Sequence, residues 1–177
     1  MLLGKTYARL LKNHFLLMQS VQTALLMSTS DILAQFAVEK KTLRQYEPRR
    51  TAEFAFLGAA FVGPALSIWY KVLQRKFGSD KTLQTGIKKM SCDQLLFAPV
   101  FLLVFVSSVE VLHGNNMEGI KDSLRKKYKD IVITNWKIWP AVQMINFSVM
   151  PLKYQVLFAQ FVAVFWNVYL SWKTQNK

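Results

Sequence analysis

The feature that most limits how this chain can fold is one apolar run, Leu95–Leu112, whose only charged residue is Glu110. As an α-helix this run is about 27 Å long, close to the roughly 30 Å thickness of the hydrocarbon core of a bilayer. Surface helices of soluble proteins carry a polar stripe, whereas residues 95–106 include no charged or amide side chain. The run therefore predicts a membrane-spanning helix, with a buried helix of a soluble all-α protein as the alternative.

Five apolar segments follow one another, near 16–38, 52–70, 95–112, 131–150 and 152–172, after a basic N-terminal segment at 1–14. Two of them, 16–38 and 131–150, contain polar side chains, which we expect to turn towards neighbouring helices. We predict an all-α fold, a polytopic membrane helical bundle with about four transmembrane helices plus interfacial or amphipathic helices. The interfacial helix is expected over Met117–Lys129, and residues 1–177 are expected to form a single integral-membrane domain.

Basic residues outnumber acidic residues by 23 to 10, which gives a formal net charge of +13. The charge is mostly lysine and is divided among all the loops, so we expect no direct nucleic-acid binding. The lipid bilayer and its anionic headgroups are the predicted partners. A homo-oligomer is a further partner that the sequence allows. Because the loops on both sides carry similar positive charge, the sequence predicts no orientation.

Residue types that catalysis needs are scarce. The chain has one cysteine, Cys92, two histidines and no glycine-rich phosphate loop. We therefore predict no catalytic, cofactor-binding or metal site and no enzymatic activity. The first 14 residues hold Lys5, Arg9 and Lys12 without an acidic residue. This spacing is typical of an uncleaved mitochondrial targeting helix, and a secretory signal is the competing interpretation.

Small residues recur every four positions in the segment near 52–70. After Thr51 they are Ala55, Ala59, Gly63 and Ser67. In lipid, such a groove lets two helix backbones approach closely, so it predicts helix packing, with a pore-lining face as the alternative. Pro64 lacks an amide hydrogen and is expected to bend this helix.

Asp31 is a deeply placed acidic residue in an apolar segment, and Gln35 follows one helical turn later. A charge near the centre of a membrane helix costs about 2.5–3.5 kcal/mol on insertion scales. Asp31 therefore either pairs with an amide or a basic residue such as Arg49 or Arg50, or lies beside a hydrated path. We favour the pair.

Further polar residues occur beside or within the later segments. Asp93 and Gln94 precede the run at 95–112, where an acidic residue is typical of a helix N-terminal cap, with Lys88 and Lys89 as expected counter-ions. Two polar stripes lie on the last two segments: the first is Asn135, Gln143 and Asn146, and the second is Gln160, Asn167 and Ser171. We call them the amide stripes, and they either hydrogen-bond to each other across helices or line a polar lumen. The candidate pore-lining or polar-network residues are thus Asp31, Gln35, Asp93, Gln94, Gln143 and Asn146.

The longest distinctive motif runs from Trp136 to Phe147 and reads Trp-Lys-Ile-Trp-Pro-Ala-Val-Gln-Met-Ile-Asn-Phe. Shorter motifs surround it, namely Phe61-Val-Gly63-Pro64, Asp93-Gln94 with Ala98-Pro99, Pro151 with Tyr154, and Trp166-Asn167. In these residues the chain resembles the Mpv17 family of peroxisomal and mitochondrial membrane proteins, and is most similar to its mitochondrial inner-membrane members. It departs from the family pattern at Phe15, Ser30 and Gln155, where the family often has proline, glycine and a basic residue.

The resemblance implies a mitochondrial inner-membrane protein of about four spanning helices that acts as a channel, weakly selective for small solutes. It also implies a contribution to membrane potential, to the handling of reactive oxygen species and to the maintenance of mitochondrial DNA or nucleotide pools. The alternatives are a gated metabolite transporter and a non-transporting membrane scaffold, and a peroxisomal membrane is the alternative location.

Overall fold

The computed structural model describes residues 2–175, of which residues 2–5, 8 and 169–175 are described by their backbone alone. Within this range the chain is built from helices, as predicted. They are α1 (Leu2–Asn13), α2 (Phe15–Leu33, continued by a π-helical turn, Ala34–Val38), α3 (Pro48–Phe77), α4 (Leu83–Leu112), α5 (Met117–Val149) and α6 (Leu152–Gln175). The predicted all-α fold is confirmed. Ser171 of the second amide stripe lies outside the described side chains.

Local sequence explains where several of these helices begin and end. α3 begins at Pro48, whose missing N–H has no helical partner to lose in a first turn. Thr82 caps α4 and Asn116 caps α5, because each side chain accepts the amide hydrogen three residues later, at 3.3 Å and 2.9 Å. Met150 is extended because Pro151 follows it, and this break separates α5 from α6.

α3 and α4 share one plan. Each has 10 α-helical residues, a π-helical turn of 5 residues and 15 further α-helical residues. The π turns are Gly58–Val62 and Asp93–Phe97, and one residue separates them from Pro64 and Pro99. A proline ring inside an α-helix collides with the carbonyl four residues earlier, and a wider turn before it relieves this collision. The irregularity predicted at Pro64 is therefore a π turn, and Pro99 has the same effect.

The chain divides into two compact units, Met1–Val72 with Pro151–Lys177, and Leu73–Met150. In the first unit, α2 packs against both α3 and α6. In the second, α4 and α5 are antiparallel: Lys81, just before α4, donates to the Val149 carbonyl at the end of α5, and Ser123, near the start of α5, donates to Glu110 near the end of α4. The single integral-membrane domain stays a prediction.

Several polar side chains of α2 are buried, while several of its apolar side chains are exposed. Gln19 and Thr23 are 0% exposed and Asp31 is 3% exposed, whereas Leu17 and Leu25 are 62% and 64% exposed. α5 follows the same rule, with Asn135, Gln143 and Asn146 buried and Ile145 and Val149 exposed. This arrangement inverts the usual pattern of a soluble protein and suits lipid. The expectation that the polar faces turn towards protein is confirmed.

Two helices of the described chain, α3 and α4, are long and apolar enough to cross a membrane, by length and composition. Only 6% of the most apolar 18-residue window of α4 is buried. An exposed apolar surface of this extent needs lipid or another apolar partner around it. These features belong to a helical membrane protein, and the expected count of about four transmembrane helices stays a prediction.

The interfacial helix expected over Met117–Lys129 is not a separate element. It is the first part of α5, which continues through Pro140 to Val149. Ile120 is buried, and the Tyr128 hydroxyl donates to the Pro99 carbonyl at 2.9 Å, so this part of α5 packs along α4. The expected boundary was wrong because one helix here changes from charged to apolar along its length.

Candidate functional site

A buried carboxylate, Asp31, lies near the C-terminal end of α2. Its Oδ1 forms an ion pair with Arg50 Nε at 2.7 Å. Its Oδ2 accepts hydrogen bonds from Thr51 Oγ1 at 2.6 Å and from Gln35 Nε2 at 2.8 Å. Since Arg50 and Thr51 belong to the first turn of α3, the Asp31 network joins α2 to α3. Of the two basic partners considered for Asp31, Arg50 rather than Arg49 makes the pair.

Gln35 fixes the loop between α2 and α3 beside this carboxylate. Its Oε1 accepts the Glu47 amide hydrogen at 2.9 Å, and its Nε2 donates to the Glu47 carbonyl at 3.2 Å. The Tyr46 hydroxyl donates to Thr51 Oγ1 at 2.9 Å. The sequence predicted Gln35 as part of this network. It did not predict Tyr46, and it placed Thr51 in the small-residue groove, because only the folded loop brings Tyr46 and Thr51 close to Asp31.

Charged side chains extend the Asp31 network to the surface. Arg50 Nη1 lies 2.8 Å from Glu39 Oε1, Lys41 Nζ lies 2.8 Å from Glu39 Oε2, and Lys41 also pairs with Glu47. Burial alone would raise the pKa of Glu39, but the hydrogen bonds from Lys41 and Arg50 outweigh this effect and lower that pKa. Lys41 likewise lowers the pKa of Glu47. The loop is thus held by ionised groups around neutral pH.

A row of buried polar oxygens runs along α2 towards Asp31, and we call it the α2 row. It consists of Gln19 Oε1, Thr23 Oγ1 and Ser30 Oγ, which have no hydrogen-bond partner among the described residues. Gln19 uses only its Nε2, which donates to the Lys153 carbonyl of α6 at 2.9 Å. Buried polar groups normally find partners, and these three oxygens are exceptions to that rule among the described residues.

Hydroxyls on the other side of α2 behave differently. Ser28 Oγ donates to the Ala24 carbonyl and Thr29 Oγ1 to the Leu25 carbonyl, both at 2.8 Å and both within the helix. The exposed hydroxyls of Ser107 and Ser108 on α4 do the same. Such bonds satisfy a hydroxyl that faces hydrocarbon. Thr23 and Ser30 therefore differ from the outward hydroxyls in hydrogen bonding as well as in burial.

α2 and α3 approach each other closely at two glycines. A side-chain carbon added at Gly58 would lie 2.9 Å from Ala24 Cα, and one added at Gly63 would lie 2.8 Å from Ser20 Cα. Real side-chain carbons do not come this close to a backbone atom, so only glycine fits at either position. The contact is of the kind that small residues allow between membrane helices.

The predicted small-residue groove is only partly on this contact. Gly63 and Ser67 are buried, whereas Ala55 and Ala59 are half-buried. The π turn changes the helical register and brings Gly58 against α2 as well. Gly58 was missed because a strict spacing of four residues assumes an uninterrupted α-helix.

A second buried carboxylate, Asp93, opens the π turn of α4. Its Oδ2 accepts hydrogen bonds from Gln94 Nε2 at 2.8 Å and from Gln143 Nε2 at 3.0 Å. Asn135 Nδ2 donates to Gln94 Oε1, and Asn146 Nδ2 donates to Gln143 Oε1, both at 2.9 Å. Each amide thus donates towards the carboxylate, directly or through another amide. We call these five buried residues the Asp93 network.

The irregular backbone of α4 is also satisfied from α5. The Ala98 amide bonds to the Asp93 carbonyl, five residues back, and Pro99 has no N–H. The Gln94 carbonyl therefore lacks the helical donors it would otherwise have. Trp136 Nε1 donates to this carbonyl at 2.9 Å, so the indole fills the position that Pro99 leaves open.

The expected role of Asp93 as a helix cap is wrong, because α4 begins at Leu83 with Thr82 as its cap. The amides of α5 bond to α4, a pairing that the sequence did not predict. Asp31 and Gln35 thus belong to one unit, and the four other candidates, Asp93, Gln94, Gln143 and Asn146, belong to the other. Their role in lining a pore stays a prediction. Within the described residues, no group of three or more His, Cys, Asp or Glu side chains could hold a metal ion.

Known proteins of one family match this chain. A model of the Mpv17 / PMP22 family matches residues 110–171. The mitochondrial inner membrane protein Mpv17 of Xenopus laevis is 42% identical over 175 residues, 98% of each chain, and the human protein of that name is 42% identical over 176 residues, 99% of each chain. Protein sym-1 of Neurospora crassa is 39% identical over 160 residues, 89% of this chain and 90% of its own length. No solved structure matches.

Proposed function

Because the chain belongs to the Mpv17 / PMP22 family and is a mitochondrial inner-membrane protein, we propose that it forms a channel, weakly selective for small hydrophilic solutes. The observation that carries the proposal is the α2 row, whose buried oxygens have no partner among the described residues. Leaving a buried polar group without a hydrogen bond costs about 1–3 kcal/mol. Water or a polar solute passing along α2 would supply the missing bonds.

The charges at the end of this row account for weak selectivity. The carboxylate of Asp31 faces Arg50 Nε at 2.7 Å, so a solute approaching this point meets both signs of charge. Opposite charges this close largely cancel each other's field at longer range. A path beside such a pair attracts neither cations nor anions strongly, and small neutral solutes pass as well.

The direct test compares two threonines of α2 in planar bilayers that contain the full-length protein. Thr23→Val removes an inward hydroxyl of the α2 row, and we expect a several-fold lower conductance. Thr29→Val is the matched control, because the Thr29 hydroxyl bonds to its own helix and should leave conductance unchanged. Equal conductance in both variants and the parent protein would remove the α2 row from the path.

Asp31→Asn tests the charge at the end of the row. The variant keeps an amide in place of the carboxylate and leaves the Arg50 charge without Asp31, so we expect reversal potentials to shift towards anions. Asp122→Asn removes one negative charge from an exposed pair on α5 and should leave the reversal potential unchanged. An unchanged reversal potential in Asp31→Asn would contradict its place beside the path.

A gated metabolite transporter is the second candidate, and the matched plan of α3 and α4 favours it. Two helices with a π turn and a proline at the same positions are the kind of internal repeat on which alternating-access transporters are built. Fluxes that saturate and show competition between solutes would identify a transporter, whereas ohmic currents identify a channel. Liposomes that contain folded protein and show neither flux nor current would indicate a membrane scaffold.

The proposed channel would also act on mitochondrial physiology. A weakly selective path through the inner membrane lowers the membrane potential when open, and through it the formation of reactive oxygen species. Passage of small metabolites would contribute to nucleotide pools and to the maintenance of mitochondrial DNA. In mitochondria that carry Thr23→Val, we expect a higher resting potential than in mitochondria that carry Thr29→Val, measured with a potential-sensitive dye.

A further inference from the structure

The first part of α5 carries an exposed row of basic side chains. Lys121, Arg125 and Lys129 are four residues apart and exposed, so they share one helix face with about 6 Å between successive positions. We call them the basic stripe. None of the three has an acidic partner within salt-bridge distance among the described residues.

The neighbouring basic residues of α5 are already paired. Lys126 Nζ lies 2.9 Å from Asp122 Oδ2 in an exposed pair one turn apart. Lys127 Nζ lies 3.6 Å from Glu110 Oε1 of α4. The positive charge of the stripe therefore remains available to an outside anion.

The position of α5 on α4 keeps the stripe turned outward. Ile120 is buried, the Ser123 hydroxyl donates to Glu110, and the Tyr128 hydroxyl donates to the Pro99 carbonyl at 2.9 Å. These contacts hold α5 against α4 while the three residues of the stripe stay exposed. The stripe cannot turn towards α4 without breaking them.

Apolar and aromatic side chains are also exposed on α4 and further along α5. On α4, Val100 is 61% exposed and Val111 is 58% exposed. Further along α5, Trp136 is 44% exposed while its indole N–H is bonded to the Gln94 carbonyl. Tryptophan is enriched where a membrane protein passes from hydrocarbon to headgroups. The α4–α5 pair thus carries exposed apolar surface, an exposed indole and the basic stripe.

We propose that the basic stripe binds the phosphate groups of anionic phospholipids at the edge of the bilayer. Long basic side chains can lie along apolar surface while their charged ends reach the headgroups. The charges are complementary, and the acyl chains of a bound lipid would cover the exposed valines of α4. This surface is separate from the α2 row and does not depend on channel activity.

The test uses full-length protein in phosphatidylcholine vesicles and spin-labelled phosphatidylglycerol or phosphatidylcholine as the probe. Electron spin resonance then gives the preference of the protein surface for the anionic lipid. A basic residue near an anionic membrane surface contributes about 1 kcal/mol, or about fivefold in affinity. Successive removal in Lys121→Gln, Arg125→Gln and Lys129→Gln should lower the preference by up to this factor per charge.

Lys126→Gln with Lys127→Gln is the matched control on the same helix. Because these two side chains are paired with Asp122 and Glu110, we expect the preference for phosphatidylglycerol to stay unchanged. An equal loss per charge in the control would show a diffuse effect of net charge and overturn the proposal. If the variant with all three substitutions does not fold, the single variants test the proposal. Arg125→Gln should lower the preference for phosphatidylglycerol, and Arg125→Lys should keep it at the parent level.

Inorganic phosphate separates a lipid site from a site for free anions. At equal ionic strength, phosphate and chloride should displace spin-labelled phosphatidylglycerol to the same small extent, since both act by screening. Full displacement by phosphate where chloride has little effect would overturn the proposal in favour of a free-anion site.

Discussion

α3 and α4 follow the same helical plan but use the π turn differently. In α3 the turn opens with Gly58, and the missing side chain lets the backbone of α2 approach at Ala24. In α4 the turn opens with Asp93, which presents its carboxylate to Gln143 of α5. In both helices a π turn of five residues comes just before the proline. The first residue of the turn then decides whether that place serves close packing or polar recognition.

The two buried carboxylates also differ in the groups that surround them. Asp31 faces the guanidinium of Arg50, whereas Asp93 Oδ2 accepts hydrogen bonds from two amides. Removing one member of a buried ion pair leaves the other charge uncompensated. Removing one amide of the Asp93 network takes away one or two neutral-donor hydrogen bonds and leaves no cation without its partner. We therefore expect the Asp31 network to respond more strongly to a single substitution than the Asp93 network.

The largest effect is expected from Arg50→Met. Breaking a buried ion pair by removing one partner costs about 3–5 kcal/mol, and the variant also removes the Arg50 partner of Glu39, which keeps Lys41. Arg49→Met is the control on the adjacent residue, whose side chain is 84% exposed and paired with Glu53, and its cost should stay within about 1 kcal/mol. The free energy of unfolding in detergent micelles measures both. Equal losses would show that the burial of Asp31 does not govern the difference.

The second-largest loss of stability is expected from Gly58→Leu. Overpacking a close contact costs about 1–3 kcal/mol, and here the new side chain meets the backbone at Ala24, so α2 and α3 must separate. Ala60→Leu places the same side chain at an exposed position of the same π turn and should be nearly neutral. Thermal unfolding of the two variants compares them. A neutral Gly58→Leu would mean that the π turn of α3 does not serve close packing.

Trp136→Phe tests the π turn of α4 and should cost about 1–3 kcal/mol, because the Gln94 carbonyl loses its donor. Pro99→Ala supplies a backbone N–H in the same region. The cost of Trp136→Phe should therefore be smaller in the Pro99→Ala background than in the parent chain. A double-mutant cycle of unfolding free energies measures this coupling, and additive losses would contradict it.

The smallest effect is expected from the charged loop. The pKa of Glu39 is lowered in the folded chain, below its value of about 4.3 in an unfolded chain. Its contribution to stability is thus present above the unfolded value and is lost as pH falls through the folded pKa. Unfolding followed over this acidic range should show a weaker pH dependence in Glu39→Gln, whereas the exposed Glu118→Gln keeps the parent profile.

Several features of the fold and site were predictable because they follow from one local requirement. A charge placed in an apolar segment needs a partner, and this requirement led to Arg50 as one of two candidates for Asp31. The same reasoning placed Gln143 and Asn146 on an inward face. It failed at Asp93, because an acidic residue before an apolar run resembles a helix start, while the actual start at Leu83 depends on the cap at Thr82.

The sequence by itself determined that this chain is a helical membrane protein of the Mpv17 / PMP22 family, since hydrophobic length and the order of motifs are properties of the chain alone. The tertiary structure decided which helices meet and in what register. Gly58 against Ala24 and Trp136 against the Gln94 carbonyl are contacts between residues distant in sequence. They depend on how two prolines displace the backbone, and a displacement of one residue changes which side chains face a neighbouring helix.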